Sequence, residues 1–473
     1  MPEARDPIPA HSRGASGPGR GAGPPPWVSV SLELGRALGD VLLFPPRLAS
    51  YLAHHRRERE ELRGDLSVEA PALQALAPVE LPRAPHIFVS CAEASGEIHA
   101  LNTVRALREQ CAAAGQGEPR FSGLGGEALR GAGVRTVGDP VRKAAMGFSA
   151  VLGSLPYYLG LLHDAARFLR VEQPDVCLFV DSPALHVPLG RIARRAGVPV
   201  VHFVAPQHWG WAPWRARSYR GAVDRSLTIL PFEQAWFSRR GVRTVHVGHP
   251  LLDALAGEPG GTTDEGSRTL VLLPGSRRKV IERNLPWMLA RLAEVRRRRP
   301  DFEVVLPHGR RELTDLLRAH LQAAGASSWV RLETGGLHAC LRRARAAFSV
   351  SGTVLIDLLH HRLPTVVVYR VSAPLGPWMY EHLLTPPWFS SINLLAAREV
   401  VPEFCFAGKG PAARVEAALE QALGDGPWRA ECRRGLDLAA ERLGPAGASS
   451  RAAREVLALV RDNSVGQDAR PGA

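Results

Sequence analysis

Several short segments gather residues able to do chemistry, and each follows an apolar run. The first is Cys91-Ala92-Glu93-Ala94-Ser95-Gly96-Glu97. Gly96 permits close backbone approach where a helix begins. Glu93 and Glu97 are carboxylates suited to holding sugar hydroxyls or accepting a proton, and the competing reading is that Ser95 and Glu97 simply open the helix. The second is Asp181-Ser182-Pro183, ending the run Val176 to Val180. An acid at the carboxyl end of a buried strand faces the crevice where open α/β sheets bind ligands, as a general base requires. The alternative there is a helix cap before Pro183.

The third segment is Pro206-Gln207-His208-Trp209-Gly210-Trp211, whose rings suit an apolar or sugar-bearing ligand or else pack beneath the domain. The fourth is Leu272-Leu273-Pro274-Gly275-Ser276-Arg277-Arg278. Its Gly-Ser pair opens the backbone to phosphate oxygens, and Arg277 offers a planar fork to a diphosphate. The Gly-x-x-x-x-Gly-Lys spacing of a P-loop is missing. The fifth, Ser351-Gly352-Thr353, opens a helix running through Asp357 and supplies hydroxyls and backbone N–H groups as a second anion site. Two such sites in one half suggest a nucleoside diphosphate.

These segments need strands to hold them. Strand-like runs are expected at His86 to Ser90, Asp175 to Asp181, Val198 to Ala205, Ser226 to Leu230 and Arg243 to Gly248. A second series is expected at Thr269 to Leu273, Glu303 to Leu306, Val330 to Glu333, Ala346 to Val350 and Pro364 to Tyr369. Helical stretches such as Ile98 to Gln110, Tyr157 to Val171 and Leu189 to Ala196 alternate with them. Continuous Val/Leu/Phe runs between helices imply parallel sheets covered on both faces. The expected fold class is α/β, with two doubly wound Rossmann-like domains and an amino-terminal extension.

The expected boundaries are a Pro/Gly-rich disordered tail at 1–26, a helical extension at 27–84, a first Rossmann-like domain at 85–255, a linker at 256–268, a second at 269–425 and a helical segment at 426–473. The extension combines apolar residues at helical spacing with Arg36, Arg47, Arg56, Arg57 and Arg59. It would either lie on an anionic membrane or pack on the body or a partner.

Composition narrows the classes. The chain has 473 residues and a net charge of +13, nearly all of it from Arg. A phosphorylated substrate, an anionic membrane or nucleic acid could each match that balance. The arginines are scattered and no aromatic-basic module appears, which argues against nucleic acid. No run of eighteen apolar residues occurs. None of the 6 cysteines forms a CxxC pair or has zinc spacing, which points to buried thiols in a cytoplasmic protein.

In order, the motifs resemble those of the bacterial lipid-A-disaccharide synthases, family 19 inverting glycosyltransferases. The matching stretches are EASGE at 93–97, MGF at 146–148, the VD-P strand end at 180–183, Pro206 to Trp211, LPFE at 230–233, GHP at 248–250, LLPGSR at 272–277, SGT at 351–353 and INLLA-RE at 392–399. Together they cover about residues 85 to 460.

The resemblance implies a two-lobed glycosyltransferase-B fold. It further implies transfer from UDP-2,3-diacylglucosamine to 2,3-diacylglucosamine 1-phosphate (lipid X), giving UDP and the β(1→6) disaccharide 1-phosphate. Such enzymes act at the inner face of the cytoplasmic membrane with neither metal nor cofactor, and can form dimers with exchanged carboxyl-terminal segments. Under this resemblance the expected catalytic groups are Asp181, then Glu97 and Glu93. The UDP-sugar would be held by Gly275, Ser276, Arg277, Ser351, Gly352, Thr353, Asn393 and Glu399. Acceptor and acyl contacts would come from Met146, Gln207, Trp209 and Trp211. The chain departs from the family pattern at Glu97, Ala184, Val280 and Asp357, where the family usually has Asp, Asp, Glu and Glu. The alternatives are a divergent paralogue acting on another UDP-sugar and a non-catalytic glycolipid-binding protein.

Overall fold

The computed structural model describes residues 23–73, 78–145, 151–261, 266–371 and 376–468. Two parallel sheets form two lobes. The first lobe comprises β1 (His86–Cys91), β2 (Arg120–Leu124), β3 (Arg135–Gly138), β4 (Val176–Val180), β5 (Val200–Phe203), β6 (Arg225–Thr228) and β7 (Thr244–His246), in the order β3-β2-β1-β4-β5-β6-β7. The second comprises β8 (Thr269–Leu273), β9 (Glu303–His308), β10 (Val330–Thr334), β11 (Ala346–Val350), β12 (Thr365–Arg370) and β13 (Glu403–Phe406), in the order β10-β9-β8-β11-β12-β13.

Every residue of β1, β4 and β11 is buried. Helices cover both faces, so these strands read as unbroken apolar runs rather than alternating ones. The chain reverses its winding between β1 and β4, which pair in register from Ile87↔Val176 to Cys91↔Val180. It does so again between β8 and β11, paired from Ala346↔Leu270 to Ser349↔Leu273. At such a reversal the flanking loops part and leave a crevice at the carboxyl ends of the strands.

Among the described residues two helices precede β1: α1 (Pro26–Leu42) and α2 (Phe44–Leu66). Tyr51, Leu62 and Leu66 of α2 are buried, so this half of the extension follows the packed reading. The helix reaches both lobes. Asp65 pairs with Arg239 of the first lobe, while the Tyr51 hydroxyl donates to Leu383 O (2.9 Å) in the second. The last helix, Ala448–Asp468, returns from the second lobe to pack on α3 (Ala94–Ala113). Its start is capped by Asp253, whose carboxylate accepts N–H bonds from Gly447, Ala448 and Ser449 at 2.6–2.9 Å.

Candidate active site

The first crevice is built around Asp181. It lies one residue beyond β4, and both it and Ser182 have left-handed backbones, φ +56° and +50°. Val204, one residue beyond β5, has φ +64°. Such conformations cost free energy in non-glycine residues and persist only where the surroundings enforce them. Here the enforcement is a buried hydrogen-bond chain. His186 Nδ1–H (2.5 Å) and His202 Nε2–H (2.8 Å) both donate to the Asp181 carbonyl. His186 Nε2 then accepts from Ser90 Oγ (2.9 Å), and His202 Nδ1 accepts from the Tyr219 hydroxyl (3.0 Å). Burial pushes His186 down to about 3, keeping that ring neutral and its tautomer set by its partners. With its backbone so held, Asp181 leaves its half-buried carboxylate at the crevice.

The β1–α3 turn closes over this site. A Cβ on Gly96 would stand 3.4 Å from Val180 O and 3.8 Å from Asp181 Cβ. Glu93 is exposed and its carboxylate has no hydrogen bond among the described residues. His99, a turn further along α3, lies in the electrostatic field of both Asp181 and Asp253. Its Nδ1 is buried without a partner among the described residues, and burial holds the ring below the usual histidine range. His249 of the β7 end is pushed to about 4, first by burial and then by His99. His99 was not expected, because a histidine inside a helical pattern looks like any other position.

The second crevice lies between β8 and β11. Gly275 has φ +111°, and an added Cβ would meet Val280 Cγ1 at 2.6 Å. The loop therefore requires glycine twice over, by conformation and by space. Ser276 and Arg277 are exposed, and Arg277 immediately precedes the helix Arg278–Arg298. Arg310, from beyond β9, braces the loop by donating to Ser276 O (3.3 Å). Gly352 and Thr353 are exposed beside it, while Ser351 is half-buried and donates to Phe389 O (3.4 Å). The side chains of Ser276, Arg277 and Thr353 have no hydrogen-bond partner among the described residues.

Three expected site residues are buried and engaged by partners within the protein. Asn393 is fully buried; its amide donates to Val401 O (2.9 Å) and Glu403 (3.0 Å), and its oxygen accepts the Val400 and Val401 N–H groups. That leaves no hydrogen-bonding capacity for a ligand. Glu97 is buried and accepts the Leu129 N–H (3.1 Å) at the start of another helix. Trp209 is buried, donating its indole N–H to Glu233 (2.9 Å). Glu233 also accepts the Ile229 and Leu230 N–H groups, and burial raises it to about 7.

Trp211 by contrast is exposed beside Arg215, whose guanidinium lies 5.0 Å from the ring centre. Gln207 and Glu399 are also exposed. The 206–214 loop touches the second lobe, where Thr385 N–H donates to Gly210 O (3.0 Å). Met146 lies outside the described residues.

The family profile described as Lipid-A-disaccharide synthetase matches residues 87–431. A lipid-A-disaccharide synthase of Myxococcus xanthus is 33% identical over 383 residues, covering 80% of this chain and 98% of its own. One from Geobacter sulfurreducens is 32% identical, covering 79% and 97%. Among solved structures, Arabidopsis thaliana UGT89C1 complexed with UDP aligns with a TM-score of 0.51 at 12% identity, over 80% of this chain and 99% of that one. The S. aureus MnaA–UDP co-structure aligns at 0.51 and 13% identity, over 78% and 94%. At such identities these structural likenesses establish the fold.

Proposed function

Since the chain belongs to the lipid-A-disaccharide synthetase family, and so is a glycosyltransferase of lipid A biosynthesis, we propose that it joins UDP-2,3-diacylglucosamine to 2,3-diacylglucosamine 1-phosphate. The 6-hydroxyl of the acceptor attacks the anomeric carbon of the donor, and its proton passes to the Asp181 carboxylate. The bond from the anomeric carbon to the diphosphate breaks on the opposite face, so UDP departs and the anomeric centre inverts. Negative charge grows on the leaving diphosphate. Arg277, Ser276 and Thr353, with the backbone of Gly275, Ser351 and Gly352, meet that charge without first breaking side-chain contacts elsewhere.

The observation that carries this reading is the pairing of unlike crevices. One presents a carboxylate on an enforced backbone, and the other an arginine and hydroxyls without side-chain partners among the described residues, around a positive-φ glycine. UDP-bound structures of the same fold support a nucleotide in the enzyme. Glu93 and Glu399, both exposed, would take sugar hydroxyls, and the exposed Trp211 and Gln207 would meet the acceptor or its chains. Because both substrates carry acyl chains, the enzyme works at the inner face of the cytoplasmic membrane.

The test is a radiolabelled assay with both lipids in detergent. Formation of the disaccharide 1-phosphate with one UDP per product is expected. Turnover of UDP-N-acetylglucosamine with no lipid acceptor, in place of disaccharide, overturns the reading in favour of another UDP-sugar reaction.

A further inference from the structure

Helix α1 is built inside out. Its two fully buried residues are polar, Ser29 and Glu33, with Val30 half-buried against the core beside them. Glu33 accepts from Arg36 (2.9 Å), Arg191 (2.8 Å) and Arg195 (2.7 Å), the last two on the helix Pro183–Arg195. An ionised group so enclosed is retained only when its partners are correctly placed. The polar stripe is therefore a seat that fixes the helix on the body. The opposite face is apolar and open. Trp27 is 66% exposed, Leu38 59%, Val41 71% and Leu42 77%, with Leu34 also exposed. Positions 27, 34, 38 and 41 fall on one stripe of a helix.

The stripe runs into a basic cavity. Beyond Leu42 comes Phe44, whose ring meets Trp214 edge-on at 6.4 Å. Trp214 lines a cavity of about 570 Å³ together with Arg47, Arg217, Arg220 and Arg240. Arg47 and Arg240 have acidic partners, Asp40 and Glu58. Arg217 and Arg220 have none among the described residues. The cavity lies outside both crevices, and Arg217 and Arg220 belong to the helix Arg215–Arg220 that follows the Trp211 loop.

We infer that this face docks on an anionic phospholipid bilayer, the apolar stripe of α1 entering the acyl boundary while Arg217 and Arg220 meet headgroup phosphates. Charge complementarity selects the occupant. A second copy seated across a two-fold axis would bring like-charged arginine clusters together, whereas anionic headgroups neutralise them. The chain's net charge of +13 acts in the same direction. The inference does not depend on the substrates proposed above, since plain phospholipid vesicles test it.

The full chain is floated with vesicles of phosphatidylcholine alone or mixed with phosphatidylglycerol. Binding to the anionic vesicles that weakens with salt is expected. Leu38→Asp/Val41→Asp lowers partitioning by roughly tenfold or more, and Arg217→Ala and Arg220→Ala by roughly fivefold each. Each variant keeps wild-type turnover on detergent-dispersed lipids, so loss of docking is distinguishable from failure of the catalytic reading. Leu42→Asp alone carries the same test if the double variant does not fold. Unchanged flotation of these apolar variants overturns the inference. So does light scattering that finds a wild-type dimer which Leu42→Asp dissociates, since a second copy then covers the stripe.

Discussion

At the residue scale, two side chains with opposite tasks set the clearest expectations. Asp181→Asn keeps the shape of the crevice but cannot take the acceptor's proton. Turnover should fall by roughly 10²–10⁴-fold, with UDP binding by calorimetry nearly unchanged. Near-normal turnover would move the base to another group. On the proposed reading Arg277→Ala removes a charge-assisted contact to the diphosphate, and UDP affinity should fall by roughly tenfold to a hundredfold. Wild-type affinity in that variant would put the nucleotide elsewhere. Asn393 should behave differently from both. Its loss strands the Val400 and Val401 N–H groups and a contact of Glu403. Asn393→Ala should therefore cost about 2–4 kcal/mol in urea melts while leaving the donor KM of the folded fraction unchanged.

At the scale of elements, the loop after β8 shows how a departure from the family pattern is accommodated. Val280 stands where the resemblance led us to expect a glutamate, and its Cγ1 methyl fills the space above Gly275. Gly275→Ala must then overcome both the φ of +111° and a 2.6 Å contact, a destabilisation of about 1–3 kcal/mol. Val280→Ala in the same chain relieves the contact but not the backbone strain, so a double-mutant cycle should recover only part of the loss. Full recovery would mean that space alone dictates glycine. Similarly, the His186 ring on the following helix holds the Asp181 carbonyl, so this helix helps fix the backbone at the end of β4.

For the whole molecule, burial of so many histidines sets the response to pH. His86, His246, His249 and His361 are pushed to about 4, and His186 and His208 to about 3, chiefly by burial. The unfolded chain binds these protons near 6.5. The corresponding stability is complete above that pH and is lost as pH falls towards about 4. Glu233, raised to about 7, and Asp357, raised to about 6, act oppositely. Each binds its proton more tightly when folded, so its contribution is present at low pH and fades as pH rises through 6 to 7. The histidines are more numerous, so urea midpoints should drop on acidification from pH 6.5 to 5. Glu233→Gln removes one opposing group and should steepen the rise between pH 5 and 7. A pH-independent midpoint would contradict the burial of these rings.

Local chemistry made much of this protein legible in its sequence. Strands buried on both faces, such as Val176–Val180 and Ala346–Val350, declare themselves as apolar runs, and the loops after them carry glycine, hydroxyl and charged residues in family order. β2 and β3 were not expected, because Arg-Phe-Ser-Gly-Leu and Arg-Thr-Val-Gly are short and broken by glycine and polar residues; pairing in the sheet, not propensity, makes them strands. What only the tertiary structure decided is where each polar side chain finds its partner. Asn393, Glu97 and Trp209 have the same residue types as ligand-binding groups, and only folding brings the backbone and side-chain partners that occupy them. The outward face of α1 was decided in the same way. Its apolar periodicity fits a core helix equally well, and only Arg191 and Arg195, more than 150 residues away, turn the polar stripe inward.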